Sequence, residues 1–301
     1  MQTTFINLIP VFLFFSLGML LRRLQFAGTA HAVFLLKFIF FISLPALILL
    51  KLSQVPLDLE RLLLPFVNIA INIGCMSITL LVTRFMNLDK KTLGSMLIST
   101  MIINNVFIYP FVLIGYGDEG FVDIVLLDFG NSVMTATFTY ALAFRYGHAK
   151  HATKTLIMKV LKTPLLWAIV TAVILSVFSI PMPRVAEGFL EPLGQMTSPL
   201  ILIALGIFFS PRIKGAGLVA VTISIRMFAG LIIGLFIAKS LGFQGTTFAV
   251  VALCSAAPVG FNALTFSSLA KLNTEFAASV LSISILIGVI YIPVLMYIFQ
   301  I

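Results

Sequence analysis

Two short polar clusters interrupt otherwise apolar runs in this 301-residue sequence. Asn104, Asn105 and Pro110 fall in the run 93–115, and Pro258, Gly260 and Asn262 fall in the run 246–270. A proline removes one backbone donor and opens the preceding turn. In a lipid environment the freed backbone groups need protein or water partners. Either cluster alone reads as an ordinary proline kink. Two of them, each with an asparagine beside the break, predict discontinuous helices whose half-helix N-termini offer positive dipole ends to an anionic group.

Charged side chains inside apolar runs are costly and mark function or pairing. Asp128 lies a third of the way into the run 121–144, with Asn131 one turn on, and Arg226 lies near the middle of the run 216–238. Two readings stand side by side. Asp128 and Arg226 form a buried structural ion pair, or Asp128 carries a coupled proton and Arg226 faces a substrate carboxylate. Asp123 reads as interfacial, and Lys37 and Lys51 sit near helix ends where long side chains snorkel to headgroups.

Other chemistries find little support. Cys75 and Cys254 lie mid-run among apolar neighbours and read as packing residues. His31, His148 and His151 have no thiol or carboxylate cluster around them, so no metal site is expected. Residues 115–118 spell Gly-Tyr-Gly-Asp, a pattern used by intramembrane aspartyl proteases. Such an enzyme needs a second aspartate at the same depth to share the proton, and no Tyr-Asp partner occurs. The chain is not read as an enzyme, and no cofactor is expected.

The elements that must position these residues follow from composition. Hydrophobic residues make up 60% of the chain and charged residues 10%, against about 25% charged in soluble domains. Ten apolar runs stand at 5–21, 33–52, 62–83, 93–115, 121–144, 165–180, 193–209, 216–238, 246–270 and 276–299. They predict an all-α polytopic membrane protein of ten transmembrane helices. The net charge of +9 is a topology signal, not a nucleic-acid footprint. Thirteen basic residues fall in connections after odd-numbered runs, and only Lys51, Arg61, Arg184 and Lys239 follow even-numbered ones. The positive-inside rule then places the odd connections in the cytoplasm and both termini outside. The first run lacks the basic flank of a signal peptide and reads as a span. Membrane lipids are the expected surroundings, with the basic stretch 145–163 against anionic headgroups.

That stretch divides the chain nearly in half, into residues 1–144 and 164–301. Pro45 and Pro199 are 154 residues apart, Glu119 and Glu275 156, and Pro110 and Pro258 148; Arg226 registers with Asn72 at 154. A common offset near 150 predicts two five-helix repeats, joined by 145–163 as a basic cytoplasmic linker. Five is odd, so the repeats are inverted, a device of secondary transporters.

These motifs resemble the auxin efflux carrier family, which includes plant PIN-formed carriers and bacterial organic-acid permeases. Pro110 is followed at the family spacing by Gly117, Asp118, Glu119 and Gly120; Ala256, Ala257, Pro258 and Asn262 match the ninth-helix pattern, and Leu44, Pro45 and Ala46 the second-helix pattern. The family's fourth-helix asparagine precedes the proline by seven residues. Here that place is Ile103, with Asn104 and Asn105 next to it, so either asparagine can carry the role. The resemblance implies crossed, broken fourth and ninth helices and a substrate site around the crossing. Its candidate residues are Asn104, Asn105, Pro110, Pro258, Asn262, Pro45, Pro199 and Arg226, with Asp128 and Asn131 as proton-coupling candidates. It further implies alternating access by small organic anions, a scaffold of helices one, two, six and seven, a homodimer and a bacterial inner membrane. A sodium-coupled symporter of the bile-acid type is the alternative within transport, and an intramembrane enzyme stands behind it.

Overall fold

A computed structural model describes residues 2–147, 163–209 and 216–299, with the side chains of 2–8 left aside. The described residues are helical throughout, apart from connections and one isolated β-bridge. The helices are α1 (Gln2–Arg23), α2 (Thr29–Leu52), α3 (Leu59–Thr83), α4 (Lys90–Met101) and α5 (Asn105–Met134, continuing to Tyr146), then α6 (Pro164–Val177), α7 (Arg184–Phe208), α8 (Ala216–Ser240), α9 (Gly245–Ser255), α10 (Asn262–Leu269) and α11 (Thr274–Ile298). Much of the basic stretch 145–163, with His148 and His151, lies outside the described residues, as do Arg212 and Lys214.

Five of these helices, α2, α3, α7, α8 and α11, are long and apolar enough to cross a membrane. The expected interruptions of the fourth and ninth runs are both present. The run 93–115 is cut at 102–104, between α4 and an α5 that continues past Gly117 into the run 121–144, and the run 246–270 is cut at 256–261, between the short helices α9 and α10. Three helices also contain a widened turn with one residue too many, at Ile39–Ser43 in α2, Thr135–Thr139 after α5 and Ser224–Ala229 in α8. Such turns re-aim the side chains that follow, and they collect at functional places.

The chain forms two compact units, each drawn from both halves of the sequence. The first comprises Met1–Leu62, Tyr109–Val125 and Lys159–Phe209. It therefore holds α1, α2, α6 and α7, the four helices that the resemblance assigns to a scaffold. Within it, Gly18 of α1 and Gly206 of α7 let two backbones approach closely; a Cβ on Gly18 would stand 2.9 Å from the Gly206 Cα. Small residues drive helix association where lipid removes the hydrophobic gain. Arg22 donates to the carbonyls of Ile207 and Phe209, at 2.8 and 2.9 Å, closing the end of α7.

Charge in this unit gathers around Arg61. Its Nε donates to Asp123 at 2.9 Å, its NH1 to the Pro56 carbonyl, and its NH2 lies 3.6 Å from Glu119. Asp123 is 0% exposed. Its charge is thus shielded from solvent by a partner 62 residues away, which compensates the burial. Asp118 binds Lys51 at 2.8 Å, which ties the Gly-Tyr-Gly-Asp aspartate to an ammonium.

The second unit comprises Leu63–Ile108, Leu126–Met158 and Ser210–Ile301. It holds both breaks, most of α3, the far part of α5, and α8 to α11. The side chains of Asn68, Asn72, Thr79 and Thr83 line one buried face of α3, at spacings of four and seven. This polar stripe faces inward in a helix whose outer face is apolar.

Candidate functional site

The two breaks hold each other. The Asn104 N–H donates to the Pro258 carbonyl, and the Gly260 N–H donates to the Ile102 carbonyl, both at 2.9 Å. Ile103 and Val259 thereby form a one-residue antiparallel bridge. They are 156 residues apart, the offset of the proposed repeat. Unwound backbone in an apolar bundle survives only when its polar groups find partners, and here each stretch supplies them to the other. Gly260 is needed at this crossing: a Cβ there would meet the Ile103 carbonyl oxygen at 2.8 Å and the Ile102 side chain at 2.7 Å.

Each stretch is also braced from its other side. The Asn131 side chain accepts from the Ile103 N–H at 3.4 Å and donates to the Ile103 carbonyl at 3.3 Å. One carboxamide thus satisfies both backbone groups of one residue, as a neighbouring strand would. Across the bridge the Ser284 hydroxyl accepts from the Val259 N–H at 3.2 Å. Ser284 stands 153 residues after Asn131, so the braces share nearly the same offset as the residues they hold.

Polar side chains extend from Asn131. Asp128 accepts at one oxygen from Asn105 at 2.9 Å and Asn131 at 3.1 Å. Asn72 donates to Asn131 at 3.5 Å and to Asn68 at 3.1 Å. Asn104 takes a different part, capping α5 by accepting from the Phe107 N–H at 3.2 Å. An asparagine suits that place because its short side chain reaches the free amides of a first turn. All six of these side chains are buried. The Asn104 amide nitrogen and the Asn105 and Asn72 carbonyl oxygens have no hydrogen-bond partner.

Arg226 lies elsewhere in this unit's interior and is 0% exposed. It donates to the Ser255 carbonyl at 2.7 Å, the Thr100 carbonyl at 3.1 Å and the Cys75 sulfur at 3.6 Å. Its hydrogen bonds go to uncharged groups, so the expected buried pair with Asp128 gives way to backbone carbonyls and a thiol.

The expected site residues thus fall in several places. Asn104, Asn105, Asp128, Asn131, Pro258 and Arg226 are buried in the second unit, close to the breaks. Asn262 opens α10 in the same unit but is exposed, outside the asparagine network. Pro45, Pro110 and Pro199 belong to the first unit. Pro45 follows the widened turn of α2, and Pro199 sits in the first turn of the Thr197–Phe208 segment of α7, where a missing N–H costs nothing. Sequence reasoning passed over Asn68 and Ser284. The four-residue step from Asn68 to Asn72 was a readable sign of one helix face; a lone serine in an apolar helix carries no such sign.

Comparison with known proteins identifies the family. The family model described as a membrane transport protein matches residues 3–296. An uncharacterized transporter of Methanothermobacter thermautotrophicus is 24% identical over 293 residues, covering 95% of each chain. A second uncharacterized transporter, from Methanocaldococcus jannaschii, is 26% identical over 193 residues, covering 60% of this chain and 61% of its own. The chain belongs to the auxin efflux carrier family of membrane transport proteins.

Proposed function

We propose that this membrane transport protein is a secondary active transporter of small organic anions, working by alternating access at the paired breaks. The observation that carries the reading is the antiparallel bridge between Ile103 and Val259. It sets the start of α5 and the start of α10 at one crossing, and the first turn of a helix presents free N–H groups and a positive dipole end. A carboxylate is the complementary small group. The exposed Asn262 amide at the start of α10 adds a donor, and the unpartnered Asn104 amide nitrogen at the start of α5 adds a second.

Inverted repeats of five helices, 1–144 and 164–301, are part of this reading. Residues one repeat apart meet in two places, Ile103 with Val259 and Ser43 with Thr197. An antiparallel contact between equivalent positions is what a two-fold relation in the membrane plane produces. The charge asymmetry of the connections supports a cytoplasmic 145–163 stretch and external termini. Asp128, held by two amide donors, is the candidate proton carrier.

The test is flux into proteoliposomes of a panel of mono- and dicarboxylates, with and without imposed proton or sodium gradients. Saturable, gradient-driven uptake of at least one carboxylate is expected. A panel that leaks in only at the rate of empty vesicles would remove organic anions as the substrate class.

A further inference from the structure

The interior of the second unit contains a full positive charge that no carboxylate among the described residues binds. Arg226 is completely buried, and guanidinium does not deprotonate in proteins. A buried charge needs compensation, and this one finds it in two helix ends. Thr100 lies in the last turn of α4, and Ser255 is the last residue of α9. Both helices run into a break, so the Thr100 and Ser255 carbonyls receive no backbone N–H from along their own helices. NH1 takes the Thr100 carbonyl and NH2 takes the Ser255 carbonyl, one from each helix. Each helix C-terminus carries about half a negative charge, so two of them match one cation.

The surroundings are shaped for this contact. Arg226 stands inside the widened turn Ser224–Ala229, which re-aims it relative to a regular α8. One turn on, Gly230 leaves the space: a Cβ there would lie 2.6 Å from the Ser255 carbonyl oxygen and 2.8 Å from the Arg226 NH2. Nε remains buried without a partner. A place lined by converging carbonyls, closed by two negative dipole ends and lacking any acid is chemically a monovalent cation site.

We propose that Arg226 is a tethered cation, holding the C-terminal ends of α4 and α9 together in the place where a free monovalent cation would otherwise bind. Its role is positioning, through the half-helices that enter the breaks, rather than contact with the transported anion. The inference rests on the reading of the breaks as the transport centre, but its chemistry does not depend on the substrate. Removing the side chain should uncover a latent site for sodium, guanidinium or methylguanidinium.

Melting of the purified protein in detergent tests this without any flux. Arg226→Ala should show a saturable rise in Tm of about 2–4 °C with millimolar guanidinium or sodium at ten times the Kd. Wild type and Arg226→Met, in which the place is filled, should not respond. As a second measure, Arg226→Lys should melt higher than Arg226→Gln, which keeps donors but no charge. A monodisperse Arg226→Ala protein that none of these cations stabilises would overturn the proposal, as would a Gln variant as stable as the Lys variant. So would stabilisation of wild type, but not Arg226→Ala, by carboxylates, which would make Arg226 a substrate contact. Failure of every carboxylate to be transported would sink the transport reading while leaving these melting shifts to be read on their own.

Discussion

Ser43 and Thr197 are 154 residues apart in sequence, and their hydroxyls share a hydrogen bond of 2.6 Å. Ser43 stands two residues before Pro45 and Thr197 two before Pro199, so equivalent positions of the proposed repeats touch. Ser43 also bonds the Leu193 carbonyl at 2.7 Å, and both hydroxyls are buried. Ser43→Ala leaves buried groups unsatisfied and should cost about 1–3 kcal/mol, read as a lower Tm in detergent. Adding Thr197→Val should cost less than the sum of the two single changes, because one bond is lost only once. Strict additivity would mean that the contact contributes nothing.

Gly117 divides α5 at φ +62° and ψ −150°, a region essentially closed to residues with a Cβ. The space around it is open, so the penalty for alanine is conformational rather than steric. Gly117→Ala should lose about 1–3 kcal/mol of stability. Gly188→Ala is the control, also in open space but inside the helical segment Arg184–Gln195, and should be neutral or stabilising by up to about 1 kcal/mol. Equal effects at both sites would contradict the account of the bend.

Asp128→Asn keeps an oxygen that can accept from Asn105 and Asn131, so the variant should fold with little change in Tm. If the carboxyl carries the coupled proton, the variant loses accumulation driven by a pH gradient while downhill exchange of substrate continues. Unchanged pH-driven uptake in this variant would move coupling to another residue.

Asp89 caps α4 by accepting from the backbone amides of Lys91 and Thr92. Hydrogen bonding from the Thr92 side chain, then from the backbone, lowers its pKa below the ordinary value of 3.8. A depressed carboxylate adds stability above its unfolded pKa and loses it as pH falls through the folded one. The wild-type melting temperature should therefore fall below about pH 4 partly through this group, and Asp89→Ala should show a shallower fall. At neutral pH the lost cap should cost about 0.5–2 kcal/mol. Parallel pH profiles for the two proteins would exclude Asp89 from the acid response.

How much of this was readable in the sequence depends on what residue type records. The breaks were legible because Asn104 and Asn105 mark the first, and Pro258, Gly260 and Asn262 cluster at the second, whereas Pro110 lies inside α5, six residues past its break. The helices of the first unit were legible as apolar runs. The main partners of Arg226 were not: beside the Cys75 sulfur they are backbone carbonyls, which every residue carries, so nothing at Thr100 or Ser255 marks them. The pairing of Arg61 with Asp123 was hidden for another reason. A basic residue in a connection reads as solvated, and only the fold brings it to an aspartate 62 positions on. Asn131 appeared as a neighbour of Asp128 one turn away, and its grip on both backbone groups of Ile103 needed the break to exist first.

The central claim is that the crossing of the two breaks binds the transported anion, and Asn262 is its most direct probe because the residue is exposed and makes none of the bonds that hold the breaks together. Uptake kinetics should be compared in proteoliposomes for wild type and Asn262→Ala, using whichever carboxylate the flux panel identifies. Losing one hydrogen bond to a charged group costs about 1.5–3 kcal/mol, so KM should rise by about 10-fold to 100-fold with Tm unchanged. A folded Asn262→Ala protein with the wild-type KM and maximal rate would contradict the placement of the site at the crossing.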